Sequence, residues 1–142
     1  MMIGKTQNIT KHLPLFLIVD KEEQQDLSAL LQCDKKSVQC LQVQTAADCL
    51  KTVMQKNIGV VVIDENLPDL SGLKLVSLLK KMKPEVEIIF TTDCHDPQKE
   101  IDARLAGILY YGVKPVDWTL LSQIIERALS KQNKNLQLSG HA

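Results

Sequence analysis

Residues 59–72 read Gly-Val-Val-Val-Ile-Asp-Glu-Asn-Leu-Pro-Asp-Leu-Ser-Gly, and this stretch decides the fold. The unbroken β-rich run from Val60 to Ile63 describes a strand buried on both faces, as in the middle of a parallel sheet. It stops at a charged residue, Asp64, and Pro68, Asp69, Ser71 and Gly72 then make a turn-rich loop. A helical stripe follows, Leu75, Val76, Leu79 and Met82, which Pro84 brings to an end. The unit is strand, acidic rim residue, loop and helix.

The same unit recurs outward in both directions. Upstream, Leu15 to Val19 is a second continuous apolar strand, ending at Asp20. Leu27, Leu30 and Leu31 then recur at helical spacing and predict a helix from about Glu22 to Cys33. Val38 to Val43, diluted by Gln39 and Gln42, reads as an edge strand. Thr45 is the predicted N-cap of the next helix, with Asp48 in its first turn and its end near Lys56. Downstream, Glu87 to Thr91 is a strand, and the polar loop from Asp93 to Pro97 leads into a helix from about Gln98 to Ala106, stopped by Gly107. Tyr110 to Val113 is the fifth strand. After Lys114-Pro115 and a capping Asp117, the residues Leu120, Leu121, Ile124, Ile125, Ala128 and Leu129 give the last helix its apolar face, with Trp118 a half-buried anchor at its start. Five strand–helix repeats require crossover connections, hence an α/β fold with a parallel sheet and helices on both faces. Residues 1–12 are expected to be a loose polar tail, 13–131 one domain, and 132–142 a frayed helix end or linker.

Composition narrows the function. The chain has 142 residues, and its 17 Lys plus Arg balance 17 Asp plus Glu. A phosphate-gripping nucleic-acid binder carries a basic excess or stripe, so no nucleic-acid contact is expected within this chain. Cys33, Cys40, Cys49 and Cys94 show no C-x-x-C spacing and offer no zinc site; small buried hydrophobes and reduced thiols are the expectation. No run approaches the ~20 apolar residues of a membrane span, and no signal-peptide layout is present, so a soluble cytoplasmic protein is expected.

In an open parallel sheet, ligands bind beyond the carboxyl ends of the strands. The residues ending strands one, three, four and five are Asp20, Asp64, Thr91 with Thr92, and Lys114. Two carboxylates, hydroxyls and an ammonium on one rim suit a phosphoryl group, and the carboxylates suit a hard divalent cation.

Ile18-Val19-Asp20, then Val62-Ile63-Asp64-Glu65-Asn66-Leu67-Pro68 with Gly72, then Phe90-Thr91-Thr92, then Val113-Lys114-Pro115 together resemble the receiver domains of two-component response regulators, in order, from Leu15 to about Leu129. The resemblance implies a doubly wound, flavodoxin-like (βα)5 sheet of order 2-1-3-4-5, and a signalling module rather than an enzyme. It implies Asp64 as phosphoacceptor, and Asp20, Asp64 and the Asn66 carbonyl as Mg2+ ligands. It further implies Thr91 as switch hydroxyl, Lys114 as its cationic partner and Tyr111 as switch aromatic. The implied donor is a sensor histidine kinase or phosphotransfer protein, with homodimer formation through the face of helix four, strand five and helix five. A cis bond before Pro115 is the family's habit, and proline lowers its cost.

One position departs from the family. Lys21 stands where receivers carry a second acid, which removes a metal ligand and predicts weakened Mg2+ binding. Three outcomes are compatible with this sequence. Lys21 points to solvent while Glu22 or Glu23 helps through water; Lys21 pairs with Asp20 and Asp64 in place of the cation; or the chain is a pseudo-receiver, a phosphorylation-independent interaction module. Retention of Asp64, Thr91 and Lys114 favours a working, weakened site. A nucleotide binder of similar fold is disfavoured by the acidic loop Asp20-Lys21-Glu22-Glu23, which would repel phosphate. Residues 95–96 after Cys94 are read as loop, not a metal cage, and a piece of a longer regulator would keep the same domain function.

Overall fold

The computed structural model describes residues 15–27, 30–33 and 36–140, the backbone alone at 32–33, 36–37 and 133–140. The strands are β1 Leu15–Val19, β2 Gln32–Cys33, β3 Lys36–Ser37, β4 Cys40–Val43, β5 Ile58–Asp64, β6 Glu87–Thr92 and β7 Tyr110–Val113. The helices are α1 Ala46–Gln55, α2 Gly72–Met82, α3 Pro97–Leu105 and α4 Trp118–Gly140. Five strands form one parallel sheet in the order β4-β1-β5-β6-β7, the 2-1-3-4-5 winding expected from the sequence.

Alternation along the strands sorts the core into two layers. Leu17, Val19, Val61, Ile63, Ile88, Phe90 and Tyr111 face one way and meet Val53, Leu75, Leu79 and Ala103 of α1, α2 and α3. Phe16, Ile18, Val60, Val62 and Ile89 face the other way and meet Leu27, Leu31, Leu121, Ile125 and Leu129. Side chains of this size contribute about 1.5–3 kcal/mol each when fully buried, so the buried β5 is the anchor of both layers.

Two expectations change. The predicted helix from Glu22 to Cys33 does not form among the described residues. Asp20 Oδ1 accepts the Glu22 N–H at 2.9 Å, and the Gln42 side chain binds both the N–H and the carbonyl of Gln24, so these backbone groups are drawn off helical geometry. Leu27 and Leu31 are buried nonetheless, the Leu31 N–H donating to Leu27 O at 3.1 Å, and β2 of the antiparallel pair β2–β3 lies against α4. The final helix runs on to Gly140, through the stretch read as a frayed helix end or linker. Cys94 is exposed, whereas Cys49 is buried and burial pushes its thiol up to about 12; the side chain of Cys33 and residues 1–12 lie outside the described residues.

The capping chemistry follows its local sequence. Thr45 accepts from the Asp48 N–H and Asp117 from that of Leu120, as expected, and Ser71 and Asp96 cap α2 and α3. Asp69 reaches across from the loop after β5 and accepts from the Ala46 and Ala47 N–H groups at 2.9 and 3.0 Å. Those two bonds hold the Asp69 carboxyl below the usual carboxylate range and tie the loop to the start of α1. Gly107 ends α3 at φ 102°, the left-handed conformation that glycine adopts freely.

Candidate functional site

Asp20 and Asp64 emerge side by side because β1 and β5 are parallel neighbours in register through Val19 and Ile63. Both are buried, and Lys114 from the end of β7 lies between them, its Nζ 2.7 Å from Asp20 Oδ2 and 2.8 Å from Asp64 Oδ1. The first contact is a hydrogen bond; the second is an ion pair off hydrogen-bonding angle, leaving the buried Oδ1 of Asp64 with a charge partner but no aligned donor. Asp64 Oδ2 accepts the Asn66 N–H at 3.0 Å. The Lys114–Pro115 bond is cis.

Burial is the largest single influence on Lys114 and opposes its charge, but hydrogen bonds and charge attraction from Asp20 and Asp64 together outweigh it and raise its pKa above 10.5. A raised folded value means that stability from this ammonium is complete below the unfolded pKa and is lost as pH rises through the folded one. Urea midpoints of the native protein should therefore fall more steeply with pH above about 10.5 than those of Lys114→Met. Parallel pH slopes for the two proteins would contradict this linkage.

The loop after Asp64 is held close to the strand. Gly72 N–H donates to Glu65 O at 2.8 Å, and a Cβ at Gly72 would stand 2.2 Å from the Asp64 carbonyl oxygen. Glycine is therefore required here for close approach, at the point where α2 meets the acceptor strand.

The two threonines part ways. Sheet register pairs Thr91 with Asp64 on one side and Gly112 on the other, and its hydroxyl lies 3.5 Å from Ile63 O. Thr92 alternates onto the Phe90 face, the face that also carries Tyr111. Thr91 and Tyr111 thus lie on opposite faces, and the hydroxyl sharing Tyr111's face is Thr92, one residue on from the position expected. Thr92 Oγ1 sits 2.6 Å from Glu65 Oε1, and Lys99 Nζ contacts Glu65 Oε2 at 2.7 Å, Thr92 Oγ1 at 3.3 Å and Cys94 O at 3.0 Å. The hydrogen bond to Glu65 is the main cause raising the Lys99 pKa. Sequence reasoning missed Glu65 and Lys99, which no periodicity links; the face of Thr92 could have been read by counting two from Phe90. Tyr111 is buried, stacks near Phe90 with ring centroids 6.0 Å apart, meets His95 edge-on at 5.6 Å, and keeps a buried hydroxyl without a partner.

Residues 16–126 match the family model of the response regulator receiver domain. The chain belongs to that family. Among curated relatives, the DNA-binding transcriptional regulator NtrC of Escherichia coli is 28% identical over 106 residues, covering 71% of this chain and 23% of NtrC. The receiver thus spans less than a quarter of that relative's length. Among solved structures, the BeF3-activated DrrB receiver domain is 27% identical with a TM-score of 0.68, covering 82% of this chain and 97% of that one. A CheY-like receiver domain protein from Methanospirillum hungatei is 26% identical with a TM-score of 0.67, covering 87% and 98%. Receiver domains are signalling modules of two-component systems, and the CheY-like fold is the one described above. Among the described residues, no helix is long and apolar enough to cross a membrane.

Mg2+, which the family implies, would meet the two convergent buried carboxylates of Asp20 and Asp64 beside the Lys114 ammonium, with Asp64 Oδ1 lacking an aligned donor; carboxylate oxygens of this kind suit a hard cation. Among the described residues, no third Asp, Glu, His or Cys joins them, and Lys21 is exposed. The residues fit the ion with one carboxylate fewer than a full acidic set.

Proposed function

We propose that this receiver accepts a phosphoryl group on Asp64 from the phosphohistidine of a sensor kinase or phosphotransfer protein, and answers through the surface around Tyr111. The observation that carries this reading is the Lys114 ammonium shared by Asp20 and Asp64 at 2.7 and 2.8 Å. A carboxylate attacks an anionic phosphoryl group poorly unless charge is neutralised and the partners are positioned. One Oδ of Asp64 forms the new O–P bond as the donor's P–N bond breaks, and the departing imidazole takes a proton from solvent. Lys114 offsets the gathering negative charge, Asn66 N–H orients the acceptor, and Asp20 keeps Lys114 in place. Asp20, Asp64 and the Asn66 carbonyl would hold Mg2+, which supplies further neutralisation of phosphoryl oxygens when bound. Thr92 is the hydroxyl we assign to the switch, because it shares the Tyr111 face.

The answering surface is built from α3, β7 and α4. Ile101, Leu105, Leu109, Val113 and Leu120 are large apolar residues left exposed there, Leu105 at 82%. Such residues suit self-association or partner docking once the Tyr111 ring changes place.

Intact mass after incubation with Mg2+ and acetyl phosphate tests the reading. Gain of one phosphoryl group is expected, and no gain at any Mg2+ concentration would overturn it. The exposed Lys21 and the absent third acid favour one alternative, a pseudo-receiver that binds partners without phosphorylation; that protein would show no mass gain and unchanged partner binding with a phosphodonor.

Lys21→Asp should restore a carboxylate and tighten Mg2+ on the order of tenfold, equivalent to about 1.4 kcal/mol. Calorimetric titration of both proteins measures it, and equal affinities would show that position 21 does not face the ion.

A further inference from the structure

We infer that Glu65 and Lys99 form a clasp that holds the Thr92 hydroxyl away from the acceptor, and that this clasp sets how readily the domain switches. The inference rests on the proposed acceptor role of Asp64. Thr92 has a single hydroxyl hydrogen. Its nearer acceptor is Glu65 Oε1 at 2.6 Å, a short, charge-assisted contact, with Cys94 O a second acceptor at 3.1 Å; the Cys94 N–H and the Lys99 ammonium lie 3.3 Å from the hydroxyl oxygen as donors. The hydroxyl cannot donate to a phosphoryl oxygen without releasing Glu65.

The clasp has two halves with opposite consequences. Glu65 competes for the hydroxyl and, one residue from Asp64, opposes added negative charge. Lys99 neutralises Glu65 through Oε2 at 2.7 Å and places a cation within the same cluster. Both side chains are three-quarters buried or more, at 24% and 21% exposure, so solvent screens their interaction less than at an open surface. The pair also joins the loop after β5 to the first turns of α3, the helix that forms part of the proposed output surface. Opening the clasp therefore frees Thr92 and unties α3 in one event. Glu65 and Lys99 act as positioning residues, working through Thr92.

Beryllofluoride binding to the full chain, followed by NMR, tests the inference in Glu65→Gln, Lys99→Met and Thr92→Val. Glu65→Gln should tighten binding by about tenfold, the scale of one charge-assisted hydrogen bond, and Lys99→Met should weaken it by a similar factor because Glu65 is left uncompensated. In the Thr92→Val background most of the Glu65 effect should vanish. Opposite signs distinguish a clasp from a merely structural ion pair, whose two halves would shift binding in the same direction. Equal signs, no change in either variant, or a full-sized Glu65 effect without the Thr92 hydroxyl would each overturn it. A second readout needs no phosphoryl mimic: Glu65→Gln should move the ring resonances of Tyr111 and His95 in the unmodified protein. If the native chain does not bind beryllofluoride, the acceptor role fails, and the clasp stands or falls on those ring shifts alone.

Discussion

Asp64→Asn should abolish phosphoryl gain entirely. The amide keeps the shape of the carboxylate but provides no anionic oxygen to attack phosphorus, so no other change at the site compensates. Intact mass with acetyl phosphate and Mg2+ should show one added phosphoryl group in the native chain and none in the variant. Lys114, losing one of its two carboxylate partners, keeps Asp20 at 2.7 Å, and the fold should survive. Survival matters to the interpretation, since a folded but unmodified variant isolates the chemistry. A phosphoryl mass gain that persists in folded Asp64→Asn would move the acceptor elsewhere and remove the central element of the proposed function.

The second large effect is expected from a single added methyl group. Gly72→Ala would place a Cβ 2.2 Å from the Asp64 carbonyl oxygen and 2.9 Å from Glu65 Cα. Both are backbone atoms and cannot rotate aside, so either α2 or the end of β5 must move. Overpacking of this kind costs about 1–3 kcal/mol, and the site should lie at the upper end because the nearest atom is the backbone carbonyl that ends the fully buried β5. Urea unfolding should show the lost stability, and phosphoryl gain should slow because the displaced atoms carry Asp64. An unchanged midpoint would mean that the loop has slack that its hydrogen bond from Gly72 to Glu65 O does not suggest.

The contrast between these two residues and others explains what was legible in the sequence. Asp64 and Gly72 could be read because a buried apolar run and a turn signal are local patterns, and the rim position follows from parallel-sheet geometry. Lys114 could be read because Pro115 follows it and the family shares the pair. The region from Glu22 to Cys33 misled because leucine spacing reports burial, and Leu27 and Leu31 are indeed buried, without reporting where backbone donors go. Asp20 and Gln42 drew those groups away, and Gln42 lies far along the chain. Thr91 was favoured over Thr92 because two adjacent hydroxyls look alike until the face of Phe90 is used to orient them. Glu65 and Lys99 were illegible for a different reason. Their contact depends on β5 and β6 being neighbours and on where α3 begins, both products of tertiary assembly.

The parting of Thr91 from Thr92 has a consequence for how news of the acceptor crosses the sheet. The backbone between them is a partition. Asp64 is in register with Thr91, while Thr92 shares the compartment of Phe90 and Tyr111. Glu65, next to the acceptor, reaches the Thr92 hydroxyl at 2.6 Å, so that hydroxyl is a single doorway through the partition. Input and answer are therefore tied at one residue, and a change that stiffens or loosens that doorway alters both together.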